Sequence, residues 1–366
     1  MPSGSHYLGK AKILQKVLLV YSSKPPIMHY LASAFERRGV FVEMVYADTN
    51  HWFDRYIIHS INKMLHNFRI LPKGKNVFSE HPLAHINYRS HNLMRTYQDF
   101  QPDLVLLIRG IGFRSDVLER IRENTPLLGW WIEREERMEE AFRDITLFNW
   151  YFFMNSACIE AGMQKGFSNI SLLQHSVDPD VFYPLADVKK EFDICFVGNW
   201  SPKRQAFIES LLNVTNNIVI YGGKWIKKNI FRPNIRRCVK GDYVDGPELV
   251  RLYNKSKIVL NITNWGFGEG SRRSGMNMRV LEAPASGAFL LTDGSRDMHA
   301  FITPGKHVAV YNSMEDCINQ ARYYLSNNEE RDSIAKEGAL QVRSSYTYDD
   351  VVKRIVDTYN KLMDIK

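Results

Sequence analysis

The sequence predicts an α/β protein made of two doubly wound, Rossmann-like domains. Three observations carry that expectation. Short continuous apolar runs, bounded by turn residues, alternate with longer amphipathic stretches, which is the pattern of parallel strands covered on both faces by helical crossovers. The alternation stops at a polar, proline-bearing segment, Gln174 to Asp187, and then restarts. The length of 366 residues exceeds one ordinary core and suits two domains of roughly 150–200 residues each.

Taken in order, Val17 to Tyr21 is an apolar run that reads as the first strand, residues 27–38 as a helix ended by Gly39, and Val40 to Ala47 as a second strand. A basic, proline-containing stretch and a helix around 89–99 lead to the buried strand Asp103 to Ile108. A helix over 115–123 with Ser115 as N-cap, the strand Leu127 to Ile132 and a charged helix from Glu133 to Arg143 follow. Trp150 to Met154 (strand), 156–165 (helix) and Ile170 to Leu173 (strand) complete the half. Pro179 and Pro184 discourage helix in the bridge.

The second series opens with the strand Phe192 to Val197, a helix over 202–213 and the strand Ile218 to Tyr221. A helix over 246–255, the strand Ile258 to Leu260, a helix over 278–286 and the strand Phe289 to Leu291 come next. The end is helical, from Met314 to Tyr324, Glu329 to Arg343 and Tyr348 to Met363. The domains expected are residues 1–180, residues 181–345, and a final helix, 346–366, that returns to pack on the first domain.

Apolar residues at 45% and charged residues at 24% are a globular composition, which excludes disordered and fibrous classes. The formal charge is +8. Residues 1–188 carry 21 basic and 20 acidic side chains and the rest carry 27 and 20, so the excess sits in the second half. There Lys224, Lys227, Lys228, Arg232, Arg236, Arg237 and Lys240 run without an acid, either as a solvated basic loop or as a contact surface. Cys158, Cys195, Cys238 and Cys317 are far apart, with no CxxC pair and no histidine at metal-ligand spacing. They suggest neither a disulfide framework nor a metal site, and fit a reducing cytoplasm. No stretch approaches the roughly 18–20 apolar residues that span a bilayer. Peripheral attachment at the inner membrane face, through basic and aromatic surface, stays open.

Three motifs could carry chemistry. In Phe196 to Arg204 a strand end, Gly198, Asn199 and a helix capped by Ser201 with Pro202 at its first position offer backbone amides and a positive dipole end to an anion, with Lys203 and Arg204 adding full charges. A capped helix start with ordinary surface cations explains the same letters. In Trp265 to Glu282, four glycines and the pair Arg272-Arg273 precede a helix that presents Asn277, Met278, Arg279 and Glu282. Guanidinium forks suit a diphosphate and a helical carboxylate suits ribose hydroxyls, whereas a glycine-rich surface loop with a helix-stabilising Arg279 and Glu282 pair needs no ligand. The third is Gly110-Ile111-Gly112-Phe113-Arg114-Ser115 with Glu133 about 20 residues on, nearly a dinucleotide fingerprint. It follows the third strand rather than the first, and would make the chain an NAD(P)-dependent oxidoreductase. Glu133, at the C-terminal end of a strand, is the member of a carboxylate run suited to act as a base or to touch an acceptor.

The second half resembles the GT-B glycosyltransferases of the group 1, family 4-like kind, and specifically their CgeB-like branch. His175 to Pro184 is similar to the interdomain "G-V-D-x-x-x-F-x-P" signature, and Phe196-Val197-Gly198 with Lys203-Arg204 to the phosphate-binding turn. Tyr253 to Asn261 resembles "Y-x-x-S-K-I-V-L-N", Met278 to Thr292 the "R-x-x-E-x-x-A-x-G-x-F-L-L-T" block, and Tyr324 to Gly338 the closing helices. The resemblance implies two doubly wound domains facing across a cleft and a metal-independent, retaining transfer of a sugar from a nucleotide-diphosphate sugar to an acceptor hydroxyl. It implies no bound cofactor; the acceptor is unidentified. Lys203 and Arg204 are then the catalytic cations, with Glu133 tested beside them. The donor would touch Gly198, Asn199, Tyr221, Gly222, Asn261, Arg272, Arg273, Asn277, Met278, Arg279 and Glu282, with Glu282 on the ribose. Two positions depart from the family pattern. Ser274 stands where a first carboxylate is expected eight residues before Glu282, and Asn199 where relatives often carry arginine, which shifts phosphate neutralisation onto Lys203, Arg204 or Arg272-Arg273. A non-catalytic nucleic-acid binder using residues 224–240 is the remaining reading, disfavoured because Trp225 and Phe231 are its only interleaved aromatics.

Overall fold

The computed structural model describes residues 13–21, 26–46, 50–72, 74–109, 112–264 and 273–364. By internal contacts the chain divides into two compact units. One comprises Met1–Met154, Cys158–Leu173 and Val352–Lys366, the other Asn155–Ala157 and Gln174–Val351.

The first unit holds strands β1 (Lys16–Tyr21), β2 (Phe41–Tyr46), β3 (Leu104–Ile108), β4 (Leu127–Trp131), β5 (Trp150–Phe153) and β6 (Ile170–Leu172). They form one parallel sheet in the order β2-β1-β3-β4-β5-β6. Val17, Leu18, Leu19 and Val20 are wholly buried, as are all the side chains of β3 but for a trace of Ile108. Each such side chain contributes about 1.5–3 kcal/mol, which is why these strands read as unbroken apolar runs. The sheet reverses direction of growth between β1 and β3, so the C-terminal ends of those two strands flank its switch point.

The second unit holds β7 (Phe192–Val197), β8 (Ile218–Tyr221), β9 (Val239–Gly241), β10 (Ser256–Asn261), β11 (Leu290–Asp293) and β12 (Ala309–Tyr311). This sheet is also parallel throughout, in the order β12-β11-β10-β7-β8-β9. The chain builds outward through β8 and β9, then returns to add β10 on the other side of β7. That order is the dinucleotide-fold order, and it puts the switch point between β7 and β10. Phe196, Phe207, Ile220, Trp225, Leu260 and Leu291 meet in the core beneath it. The bridge is tied down within this unit, where Val177 and the backbone at Tyr346 and Tyr348 exchange hydrogen bonds of 3.2 and 2.9 Å.

Several expectations are corrected. Ser115 does not cap its helix: it is the first residue of Ser115–Asn124, the cap position belongs to Arg114, and the Arg114 amide donates to Ser90 Oγ at 2.9 Å. The charged helix does not begin at Glu133 but as a single 3₁₀ turn, Glu135–Arg137, that continues as Met138–Asp144. Asn277 and Met278 precede their helix, Arg279–Ala285, because Gly275 turns the chain at φ +78° just before it. Residues 224–240 are not one loop. They contain the one-turn helices Trp225–Lys228 and Pro233–Arg236 and the edge strand β9, all too short to show a period. The helical stretch Asp54–Ile58 and His59–Asn67 was also unforeseen; Tyr56, Ile57 and Met64 lie exposed on it, which blurs the amphipathic pattern.

One contact fixes the β7 and β8 ends. Gly222 has φ +153°, and a Cβ there would stand 2.0 Å from the Gly198 carbonyl oxygen. Gly222→Ala is expected to lower the unfolding free energy by about 2–3 kcal/mol through overpacking and backbone strain. Gly166→Ala, at φ +88° with nothing within 4 Å, should cost only about 1 kcal/mol. Denaturant midpoints of the two variants test the difference.

Candidate functional site

Because every strand of the second unit runs the same way, Val197, Tyr221, Asn261 and Asp293 end on one edge of the sheet. Three of them, from β7, β10 and β11, are stitched together by side chains from the segments that follow. Arg279 bonds the Val197 carbonyl through one terminal nitrogen and Asn261 Oδ1 through the other. Asn261 Oδ1 also accepts from Asn277 Nδ2 at 3.0 Å, and Asn261 Nδ2 donates to Thr292 Oγ1 at 2.8 Å. The Asn277 Oδ1 atom is buried with no donor among the described residues.

The turn after β7 is braced against the turn after β8. Gly198 N donates to the Tyr221 carbonyl at 2.7 Å and Trp200 N to the Gly223 carbonyl at 3.0 Å. Asn199 Oδ1 accepts from Gly223 N at 2.8 Å, and the buried Trp225 indole donates to the Gly198 carbonyl at 2.8 Å. Asn199 therefore works as a brace. Ser201 caps the helix Pro202–Leu211 by accepting from Arg204 N at 3.3 Å, as the sequence indicated.

The cations differ in how they are balanced. Lys203 Nζ lies 3.4 Å from Asp293 Oδ2, and that carboxylate also accepts from the Thr263 amide at 3.1 Å and from the Thr263 hydroxyl. Burial pushes the Asp293 carboxyl up, and Thr263 and Lys203 oppose it. Arg204 instead bonds neutral acceptors, the Ile262 carbonyl at 3.0 Å and the Asn199 carbonyl at 2.8 Å. Arg279 too is held by a carbonyl and an amide oxygen. Among the described residues no carboxylate forms an ion pair with either guanidinium. Both face the ring of Phe196, with 5.5 and 5.9 Å from guanidinium carbon to ring centroid. Burial, and then the charge of Arg279, lower the Arg204 pKa to about 10. The fold thus spends free energy to hold two like charges close together at the switch point.

Glu282 stands one turn into the helix that Arg279 begins, half-buried above Tyr253. No described group hydrogen-bonds its carboxylate. Burial pushes its pKa up to about 7, against the pull of Arg279. Met278 has a backbone role, accepting from Glu282 N at 2.9 Å. Arg273 meets the site's rim through its carbonyl, which accepts from Arg296 N at 2.9 Å. Arg272 and the glycines Gly266, Gly268 and Gly270 lie outside the described residues.

Glu133 belongs to the first unit. Its carboxylate is 3.0 Å from Arg109 Nε and 3.2 Å from a terminal nitrogen of Arg137, which in turn forks onto Glu140 at 2.8 and 2.7 Å. Of the near-fingerprint beside it, Gly110 and Ile111 lie outside the described residues, and Gly112 has φ +90°. Two residues were missed by sequence reasoning, Asp293 and Asp297. Asp297 is buried and accepts from Gly275 N at 2.7 Å and Ser156 N at 2.9 Å. The signal for Asp293 was visible in Thr292-Asp293-Gly294-Ser295, a polar cluster ending an apolar strand.

Residues 203–357 match the family model described as "Glycosyl transferase-like". The spore protein CgeB of Bacillus subtilis (strain 168) is 22% identical over 293 residues, covering 77% of this chain and 90% of that protein. Among solved structures, sucrose-phosphate synthase of Thermosynechococcus elongatus aligns at TM-score 0.66 and 12% identity over 96% of this chain and all of its own. Anabaena HepE, solved with UDP and glucose, aligns at TM-score 0.64 and 11% identity over 95% of this chain and all of its own. The fold is that of the GT-B glycosyltransferases.

The raised pKa of Glu282 has a sign. An acid with a folded pKa of about 7 against an ordinary 4.5 contributes stability that is complete below about pH 4.5 and lost as the pH rises through 7. Without ligand, Glu282→Gln should therefore gain on the native protein as pH is raised across that window. Parallel melting curves from pH 4.5 to 8 would show it, and parallel lines for the two proteins would refute the buried carboxylate.

Proposed function

Starting from a chain that the family match, the CgeB relative and the GT-B fold together support as a glycosyltransferase of the CgeB-like branch, we propose that it moves a sugar from a nucleoside-diphosphate sugar to an acceptor hydroxyl. The observation that carries the reading is the pair Arg204 and Arg279, two guanidinium groups held at the switch point with no carboxylate among the described residues ion-paired to them. A diphosphate supplies the missing negative charge. As the bond from the anomeric carbon to the β-phosphate oxygen breaks, charge grows on that phosphate, and cations already in position stabilise it without reorganising. Lys203 lies nearby as a third cation, its charge largely balanced by Asp293. Positive charge already in place is why this reading needs no metal ion.

Glu282 takes the ribose in this reading. Among the described residues its carboxylate has no donor to give up, so two ribose hydroxyls can donate to it without breaking a bond there. UDP is the first nucleotide to try, because HepE was solved with UDP and with UDP-glucose. Retention at the anomeric carbon rests on the family resemblance. Glu133, with its carboxylate on Arg109 and Arg137, serves to position Arg109 at the end of β3. All four cysteines are buried thiols, which supports a reducing, cytoplasmic setting.

In a thermal-shift panel with a chelator present, one of UDP, GDP, ADP and TDP should raise the midpoint by roughly 5 °C at a hundredfold excess over Kd. A shift with NADH and none with the nucleotides would overturn the reading in favour of the turn after β3. Arg279→Ala should weaken nucleotide binding by about tenfold to a hundredfold, as titration calorimetry would report. Nucleotide affinity of the parent protein should fall as pH drops below about 7, where Glu282 takes up its proton, and Glu282→Gln should bind weakly with no such dependence.

A further inference from the structure

The acid-free run of residues 224–240 is not used by the site, and the structure shows what it presents. Trp225 is wholly buried, as nearly are Ile235 and Cys238, and they root the segment in the core. Between the two one-turn helices, buried Asn229 donates to the Trp225 carbonyl at 3.0 Å and accepts from Arg232 N at 3.0 Å, which closes a stiff turn. From this base three apolar side chains project into solvent: Ile226 at 42%, Ile230 at 55% and Phe231 at 95% exposed. A ring left almost fully in water on a rigid turn forgoes burial that a flexible loop would find. Seven exposed cations, Lys224 to Lys240, surround this tip. Arg232 is paired with Glu209 at 3.1 Å and Arg237 donates to Asn216 at 2.6 Å, while Lys224, Lys227 and Lys240 have no ion pair among the described residues. Under the tip lies a cavity of about 420 Å³ lined by Asn213, Asn216, Phe231, Arg232 and Arg237.

We propose that residues 224–240 are a membrane-contact surface for bilayers rich in anionic phospholipid. Phe231 and Ile230 enter the boundary between headgroups and acyl chains, and the surrounding lysines and arginines lie against headgroup phosphates. Two other occupants fit less well. Nucleic acid needs several aromatic faces for stacking, and here a single exposed ring sits between aliphatic side chains that suit lipid. A second copy of this chain would set the same cations against each other across a two-fold contact. The proposal is independent of which sugar or acceptor the site takes.

The test is flotation of the full chain with phosphatidylcholine vesicles and with vesicles containing about 30% phosphatidylglycerol. Binding is expected only to the second, falling as salt rises. Phe231→Ser combined with Ile230→Ser should lower partitioning at least tenfold, and Lys227→Glu combined with Arg236→Glu by about thirtyfold or more. Both pairs are exposed, so melting midpoint and nucleotide binding should match the parent. Equal binding to neutral vesicles would overturn the proposal. So would binding that survives both variants, which would place the contact elsewhere, such as on exposed Trp52, Tyr56 and Phe68 of the first unit. Salt-sensitive binding to single-stranded nucleic acid without vesicle binding, or a concentration-dependent dimer abolished by the apolar variant, would overturn it as well.

Discussion

One guanidinium holds the second unit's site together. Arg279 reaches from the start of its helix to the last carbonyl of β7 and to the side chain that ends β10, the two strands between which the sheet reverses. A parallel sheet leaves strand-end carbonyls without a ladder partner, and at a switch point the two flanking chains diverge to opposite faces. Some donor must close that gap. Using an arginine for it puts a full positive charge where a neutral donor would have satisfied the same oxygens, so a structural need and an electrostatic one are met by one side chain.

The consequence is a site whose charges are only partly balanced. Lys203 and Asp293 form a largely buried pair whose net charge is small, and pairs of this kind do little for stability. Arg204 and Arg279 have no such partner among the described residues, and burial followed by their mutual repulsion lowers the pKa of Arg204. A fold optimised for stability alone would place a carboxylate between them. Glu282, the carboxylate whose charge interacts with Arg279, is raised to about 7 by burial and so stands partly protonated at neutral pH. The positive field stays available to an anion, which is the usual relation between strain at a site and its use.

The doubly wound class of both units was legible because buried parallel strands such as Leu104–Ile108 leave no polar residue to confuse the period. So was the Ser201 cap, where serine, proline and two cations appear in the only order a helix start allows. Ser115 had the right letter and the wrong place, since its helix starts one residue earlier than a cap would require, with Arg114 tied to Ser90. β9 and β12, three residues each, were not anticipated. In the site, Arg279 and Glu282 could be found from the sequence, but not what they touch. That Asn261 accepts from both Arg279 and Asn277 depends on β10 lying beside β7, a matter of sheet order that no local motif records.

The two departures from the family pattern find a common account. Asn199 stands where the family pattern often has arginine, and its side chain accepts from Gly223 N. The turn becomes rigid and loses a charge. Arg204, from the next helix, recovers it by returning to the Asn199 carbonyl, so a guanidinium still sits at this turn although it is carried by another residue. At the second departure Ser274 is buried, where a carboxylate would need a partner of its own. The carboxylate beside that stretch comes from Asp297, which receives the amide of Gly275. In both places a charged group from a neighbouring element reaches the same turn. A signature written as spacing along the chain registers two gaps there, whereas in the folded chain Arg204 and Asp297 put a charge of the expected sign beside each turn.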